Sequence, residues 1–176
     1  MESISIYGAG PLFNIASRHH NLLLEKELKA LGYSVILPQR EALKFFDGQK
    51  FDVAGICEDC EDKAMTTRVV IANIDGADAD SGTSNEVGVA RATKKLAEKI
   101  PSLPWNPIII CVRTDFRTEL EKEIGYNAMF NKADKLIYKP AYVNSLEEVA
   151  VFYRELAMEI HIAIQEALGR KREISL

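Results

Sequence analysis

The chain alternates between short apolar runs and longer stretches whose apolar residues recur at helical spacing. The run "SISIYG" (Ser3 to Gly8) predicts a first β-strand. In "LFNIASRHHNLLLEKELKALGY", Leu12, Ile15, Leu22, Leu23, Leu28 and Leu31 lie at helical spacing, and Gly32 supplies the stop. "YSVILP" predicts a second strand ended by Pro38, residues 39–52 read as a turn of helix and loop, and a helix follows over about 53–66. "RVVIANI" (68–74) is apolar without alternation, as in a strand covered on both faces. A helix over about 85–99 ends before Pro101, and "PIIICV" is a second strand of the fully buried kind. Helical segments are expected over 117–134, and "KLIY" makes the last strand. Ser145 with Glu148 has the spacing of a capping box and opens a long helix to about 168.

Strands alternating with helices, the central strands apolar throughout, predict an α/β fold. The expected form is a flavodoxin-like (Rossmann-like) three-layer sandwich around a five-stranded parallel sheet. A length of 176 residues fits one domain over 1–176, with the helix at about 145–168 packed on it or on a partner subunit. In such sheets ligands gather at the carboxyl ends of the strands, near the reversal of strand order. The unusual residues follow strand one ("YGAGPLF"), strand three ("DGADADSGTSNE") and strand four ("RTDFR"), so the site is expected on that rim.

Composition narrows the partners. A net charge of −4 with scattered basic residues argues against nucleic acid, and "GRKR" near the C-terminus reads as a solvated tail. The sequence has no apolar run of membrane-spanning length, and "SISIYGAG" follows the start with no basic leader, so the expected location is the cytoplasm. Three cysteines do not suggest a disulfide framework. Cys57 and Cys60 form a C-x-x-C, but among acids and without two further ligands they read as small residues on a helix face. His19 and His20 are expected to face solvent, His161 to lie at the surface or an interface, and Trp105 to pack in its loop.

The rim residues then limit the chemistry. "GAGPLF" has Phe13 where a dinucleotide fingerprint needs a third glycine, and no P-loop occurs. The turn after strand one lets backbone at Gly10 approach a ligand and leaves Tyr7 reaching into the pocket. Thr83 and Glu86 have capping-box spacing, so Glu86 could simply cap a helix. Asp80 lies six residues before Glu86 with Gly82 between, so a turn can bring both carboxylates to one ligand. Asp75 and Asp78 crowd the same loop, which is costly unless a ligand or donors use the charge. A glutamate in the first helical turn would stay ionised, suited to attack on an anomeric carbon, and a second carboxyl could hold the leaving group's proton.

Together "IYGAGPLF", "VVIANIDGADADSGTSNEVGVA", "TDFR" and "YNAMF" resemble the nucleoside 2-deoxyribosyltransferase family, in order and spacing, from residue 4 to about 130. The resemblance implies that Glu86 is the nucleophile that takes a 2-deoxyribosyl group from a nucleoside. A second base or water then attacks from the opposite side, so configuration is retained. It also implies that Asp80 contacts the base and helps proton transfer, that Tyr7 orients the carboxylate, and that Phe13 lines the base pocket. "NAM" (127–129) matches a segment by which Asn127 would reach a neighbouring subunit's site, so a homo-oligomer is expected. The implied partners are a small-molecule nucleoside and a nucleobase, with no nucleic acid, no membrane, no metal and no organic cofactor. The family's base-facing acid or amide before strand three falls on Cys60 by strict spacing, and on Asp59 or Asp62 with a shift of one or two residues. Arg68 stands where an acid commonly opens strand three, and Asp115 and Arg117 are expected to pair or to organise the rim.

Two other activities stay open at this point. One is an N-glycosidase acting on 2′-deoxynucleoside 5′-monophosphates, which Asp80 would disfavour by repelling the phosphate. The other is a non-catalytic nucleotide-binding sensor. Phosphoribohydrolases also carry G-T-x-x-E, but after a P-G-G turn that this chain lacks.

Overall fold

The computed structural model describes residues 3–116 and 126–169. Five strands, β1 (Ser5–Ala9), β2 (Ser34–Ile36), β3 (Val69–Asn73), β4 (Ile108–Arg113) and β5 (Lys135–Tyr138), form one sheet. Their order is β2-β1-β3-β4-β5, with every neighbouring pair parallel. The helices are α1 (Ile15–Ala30), a short α2 (Pro38–Glu41), α3 (Val53–Thr66), α4 (Ser81–Lys99) and α5 (Leu146–Ala167). The α/β reading and the parallel five-stranded sheet are as the sequence predicts.

The alternation of side chains along each strand assigns the layers. Ile6, Val69, Ile71, Ile108 and Ile110 pack on one face with residues of α1 and α5. Tyr7, Val70, Ala72, Ile109 and Cys111 face the other way, toward Ala64 of α3 and Val87 and Ala90 of α4. Residues 6 and 7 therefore serve different layers, and only Tyr7 points toward α4. α5 buries Phe152, Leu156, Ala157, Ile160, Ala163 and Ile164 against its own chain, so its apolar stripe belongs to this core.

Several boundaries and placements differ from the expectation. α4 starts at Ser81 rather than Asn85, because the Asp80 side chain accepts the Thr83 amide at 3.1 Å and acts as the N-cap. Thr83 is consequently inside the helix, and the Thr83–Glu86 capping box does not form. Pro38 opens α2, a position where its missing N–H costs nothing. Of the helical stretch expected over 117–134, residues 117–125, and Arg117 with them, lie outside the described residues; Ala128–Lys132 is a 3-10 turn. At α5 the Ser145 hydroxyl accepts from the Glu148 amide at 3.2 Å, while the Glu148 carboxylate accepts from the Asn144 amide at 2.6 Å. That is the expected cap, shifted by one residue on its return bond.

His20 does not face solvent. Its ring packs edge-on to Tyr153 of α5, its Nδ1 is 2.8 Å from the tyrosine hydroxyl, and burial lowers its pKa against the pull of Asp75. His161 is likewise turned inward, 2.7 Å from the Tyr33 hydroxyl. Both histidines join α1 and its following turn to α5. Among the described residues no helix is long and apolar enough to cross a membrane.

Candidate active site

A cleft of about 600 Å³ opens at the carboxyl edge of the sheet, on the α3/α4 side. Its size suits a small ligand. The loop after β1 gives Gly10, Leu12 and Phe13; the N-terminal part of α4 gives Asp80, Gly82 and Glu86. β1 and β3 are the strands between which the chain's winding reverses, which is where a parallel sheet leaves a crevice. Among the described residues, none of the loop after β4 lines the cleft. Its place is taken by the segment after β2, with Gln39, Leu43 and Phe51, and by Ile56, Cys57 and Cys60 of α3.

The loop after β4 works instead as a brace. Asp75 accepts from the Thr114 amide at 2.5 Å, the Thr114 hydroxyl at 2.6 Å and the Asp115 amide at 2.9 Å. Asp115 accepts from the Gly76 amide, and the buried Arg113 donates to the carbonyls of Ile74 and Gly76. Gly76 has φ of 108°, a conformation that a side chain would strain. Of the crowded acids after β3, Asp75 thus has donors, and Asp115 pairs with Arg113 at 3.8 Å. Asp75→Ala is expected to lower unfolding stability by about 2–3 kcal/mol, since several donors lose one acceptor; urea denaturation checks it.

Glu86 is the centre of the cleft's chemistry. It lies in the second turn of α4, past the amides that carry the helix's positive end, and is 8% exposed. The Tyr7 hydroxyl donates to its Oε1 at 2.6 Å across 79 residues of sequence. Burial pushes the Glu86 carboxyl up to about 7; the Tyr7 hydrogen bond and the nearby Cys60 thiol oppose that rise, and the Asp80 charge adds to it. The expectation of a first-turn carboxylate kept ionised by the helix end is therefore corrected: Glu86 lies one turn further in, where burial raises its pKa. Tyr7 is itself buried behind Glu86 rather than reaching into open space. Burial and the neighbouring carboxylate raise its pKa, so it remains a donor throughout.

Asp80 also accepts from the Thr83 hydroxyl at 3.4 Å. A Cβ at Gly82 would stand 3.1 Å from the Asp80 Oδ1, so the glycine leaves room for that carboxylate. Phe13 is 85% exposed at the cleft's edge. Asp59 does not line the cleft; it forms an ion pair with Lys63 at 2.5 Å, one turn along α3, and Asp62 is exposed elsewhere. A helix turns about 100° per residue, so the shift of one residue that would favour Asp59 carries it off the cleft-facing side. Asn127 is exposed, caps the 3-10 turn by accepting the Met129 amide at 2.9 Å, and does not line this chain's own cleft.

The sequence reading missed Gln39 and Arg18. Gln39 is 3% exposed, with its side-chain oxygen accepting from Asn21 at 3.0 Å. Arg18 lines the cleft, and its guanidinium donates to the backbone carbonyls of Leu12 and Gln39 at 3.3 and 3.5 Å. Neither stands in a motif; only the folding of the segment after β2 against α1 brings them together. Cys60, expected to be only a small residue on a helix face, lines the same cleft as Glu86. Its spacing from β3 was the available signal.

Removing the Tyr7 hydroxyl tests the central pair. Tyr7→Phe deletes one of the donors to Glu86, so its carboxyl should titrate at higher pH and turnover near neutrality should fall roughly 10- to 100-fold. Steady-state rates across pH would read both effects.

The geometry can be set beside known proteins. The sequence model of the family described as "Nucleoside 2-deoxyribosyltransferase" matches residues 6–140. A conserved protein from Enterococcus faecalis superposes with a TM-score of 0.59 at 20% identity, covering 88% of this chain and 99% of that one. A 2-desoxiribosyltransferase from Leishmania mexicana superposes with a TM-score of 0.54 at 19% identity, covering 86% and 97%. No curated protein sequence matches the chain significantly. The structural likenesses bear on the fold, while the sequence match takes in the strands and loops that build the cleft, Tyr7, Asp80 and Glu86 included. The chain belongs to the nucleoside 2-deoxyribosyltransferase family.

Proposed function

We propose that this protein transfers a 2-deoxyribosyl group between nucleobases through a covalent intermediate on Glu86. The observation that carries the reading is the buried Tyr7–Glu86 hydrogen bond with the carboxylate facing the cleft. An ionised Glu86 attacks C1′ of a bound deoxynucleoside, and the C1′–N bond breaks with its electron pair leaving on the base. Asp80 lies close enough to act on the base and assist its protonation. The departing base is replaced by a second base, whose ring nitrogen attacks C1′ and releases the carboxylate, with two inversions giving net retention. Phe13 and Gly10 border the base, Gly82 frees Asp80 to act, and Asn127 reaches the sugar of a neighbouring subunit in a homo-oligomer. Asp59, held by Lys63, has no part in this scheme. Water in place of the second base gives hydrolysis. Incubation with a deoxynucleoside and a different free base should yield the exchanged nucleoside; neither exchange nor base release would count against the proposal.

Arg18 favours a second reading. A cleft-lining cation bonded only to backbone carbonyls, among the described residues, could receive a phosphate. Under that reading the substrate is a deoxynucleoside 5′-monophosphate, hydrolysed by the same carboxylate. Base release from a nucleoside and from its monophosphate, compared in wild type and Arg18→Gln, separates the two. Only the phosphate reading predicts a selective loss with the monophosphate.

A further inference from the structure

Arg18, Asn21 and Glu25 follow one another on α1 at three- and four-residue spacing, so they share one face of the helix. That face is turned to the segment after β2. The Arg18 guanidinium donates to the Gln39 carbonyl at 3.5 Å, and the Gln39 side chain donates back to the Arg18 carbonyl at 3.4 Å. Glu25 forms an ion pair with Arg40. Between them the buried Asn21 donates from its side-chain nitrogen to the Pro11 carbonyl at 3.1 Å and to the Gln39 Oε1 at 3.0 Å. Pro11 lies in the turn after β1, between the cleft-lining Gly10 and Leu12, while Gln39 lines the cleft from the segment after β2. Asn21 stands one layer back: a Cβ on Gly10 would be 3.5 Å from its Oδ1.

We propose that Asn21 is a positioning residue: its carboxamide ties the turn after β1 to the segment after β2 and so sets the spacing of two cleft walls on which substrate binding depends. That the substrate is a deoxynucleoside rests on the function proposed for the cleft.

Backbone partners fix the orientation of both amides. A carbonyl can only accept, so Pro11 holds the Asn21 nitrogen toward itself, and the Arg18 carbonyl does the same for the Gln39 nitrogen. The Gln39 oxygen is then left facing Asn21, where it meets the second N–H of that amide. Neither side chain can turn over without setting acceptor against acceptor. Sliding either segment would leave buried polar atoms unpaired, which is why such a pair specifies one arrangement. The segment needs this support. α2 has four residues and the 3-10 turn Ala42–Phe45 another four, too short to keep a shape without tertiary contacts. The Glu25–Arg40 pair adds less, because Arg40 is half in solvent.

Two variants test the clamp. Asn21→Leu keeps the volume without either hydrogen bond, and Asn21→Asp keeps the shape but sets an oxygen against two acceptors. Hydrogen exchange read by mass spectrometry needs no ligand. Peptides within 37–46 should exchange about 3- to 10-fold faster in both variants, while those of α4 stay as in wild type. Calorimetric binding of a 2′-deoxynucleoside and steady-state rates read the consequence. Kd and KM should rise roughly 3- to 10-fold in Asn21→Leu, and at least as far in Asn21→Asp. Because the Tyr7–Glu86 bond is made outside the clamp, kcat should stay within about twofold of wild type. Adding Gln39→Leu should cost less than the product of the two single losses, since the two side chains share one bond. Should either Asn21 variant fail to fold, Gln39→Leu alone removes that shared bond and should give the same faster exchange. Unchanged exchange over 37–46 overturns the proposal. So do faster exchange with Kd and KM unmoved, a fall in kcat at wild-type KM, and a double variant whose losses multiply. Faster exchange with weakened nucleoside binding in a protein that transfers no deoxyribose upholds the clamp and rejects the enzymatic reading, so the two claims fail separately.

Discussion

Glu86→Ala is expected to lower deoxyribosyl transfer by about 10³-fold or more, since loss of a nucleophile removes the covalent route altogether. The fold should survive, because Glu86 sits on a cleft wall and its Tyr7 partner can be reached by solvent once the carboxylate is gone. Nucleoside binding should weaken far less than turnover, because Phe13, Gln39 and the other walls of the cleft remain. Turnover and ligand affinity measured on the same variant decide between enzyme and sensor. A sensor would have no turnover to lose.

The pH dependence of stability carries the second large effect. The Glu86 carboxyl moves from an ordinary 4.5 to about 7 on folding, chiefly through burial. The folded state therefore binds this proton more tightly than the unfolded chain does. Below the unfolded value the group is protonated in both states and costs nothing. As pH rises from 4.5 through 7, the unfolded chain releases the proton first and the fold loses stability. Once both states are ionised the loss amounts to about 3 kcal/mol. Glu86→Gln removes the charge at little change of shape, so its stability should equal wild type near about pH 4 and exceed it by up to about 3 kcal/mol at about pH 8. Paired urea unfolding curves at the two pH values test this. A Gln variant less stable than wild type at alkaline pH would mean that the site stabilises the ionised carboxylate after all. The same titration predicts that kcat/KM for the nucleoside rises through about pH 7, because the nucleophile must be ionised.

The sheet was legible because β3 and β4 are buried at every position, which leaves a continuous apolar run in the sequence. α3 was readable to its boundaries, Val53–Thr66, from its spacing. The start of α4 was not. Both Asp80 and Thr83 are good caps, and the choice between them lies in loop geometry after β3 rather than in residue type. That error moved Glu86 from the first turn to the second and hid the burial that governs its charge. Pairing Asp59 with the substrate failed for a related reason: helical phase is unforgiving by one residue, and Asp59 had Lys63 at the favourable spacing for an ion pair. Cys60 carries no charge, so only its place on the cleft-facing side of α3 marks it. The inward turn of His20 was likewise invisible, because it depends on Tyr153, 133 residues away.

Catching the intermediate is the most direct measurement of whether Glu86 carries the sugar. Wild-type protein mixed with a 2′-deoxynucleoside, quenched during turnover and digested, should yield the peptide containing Glu86 heavier by one 2-deoxyribosyl group. The added mass should disappear when a free base is supplied before quenching, and it should be absent from Glu86→Gln. Exchange of bases at full rate with that peptide unmodified throughout, or with the sugar on another side chain, would contradict the account.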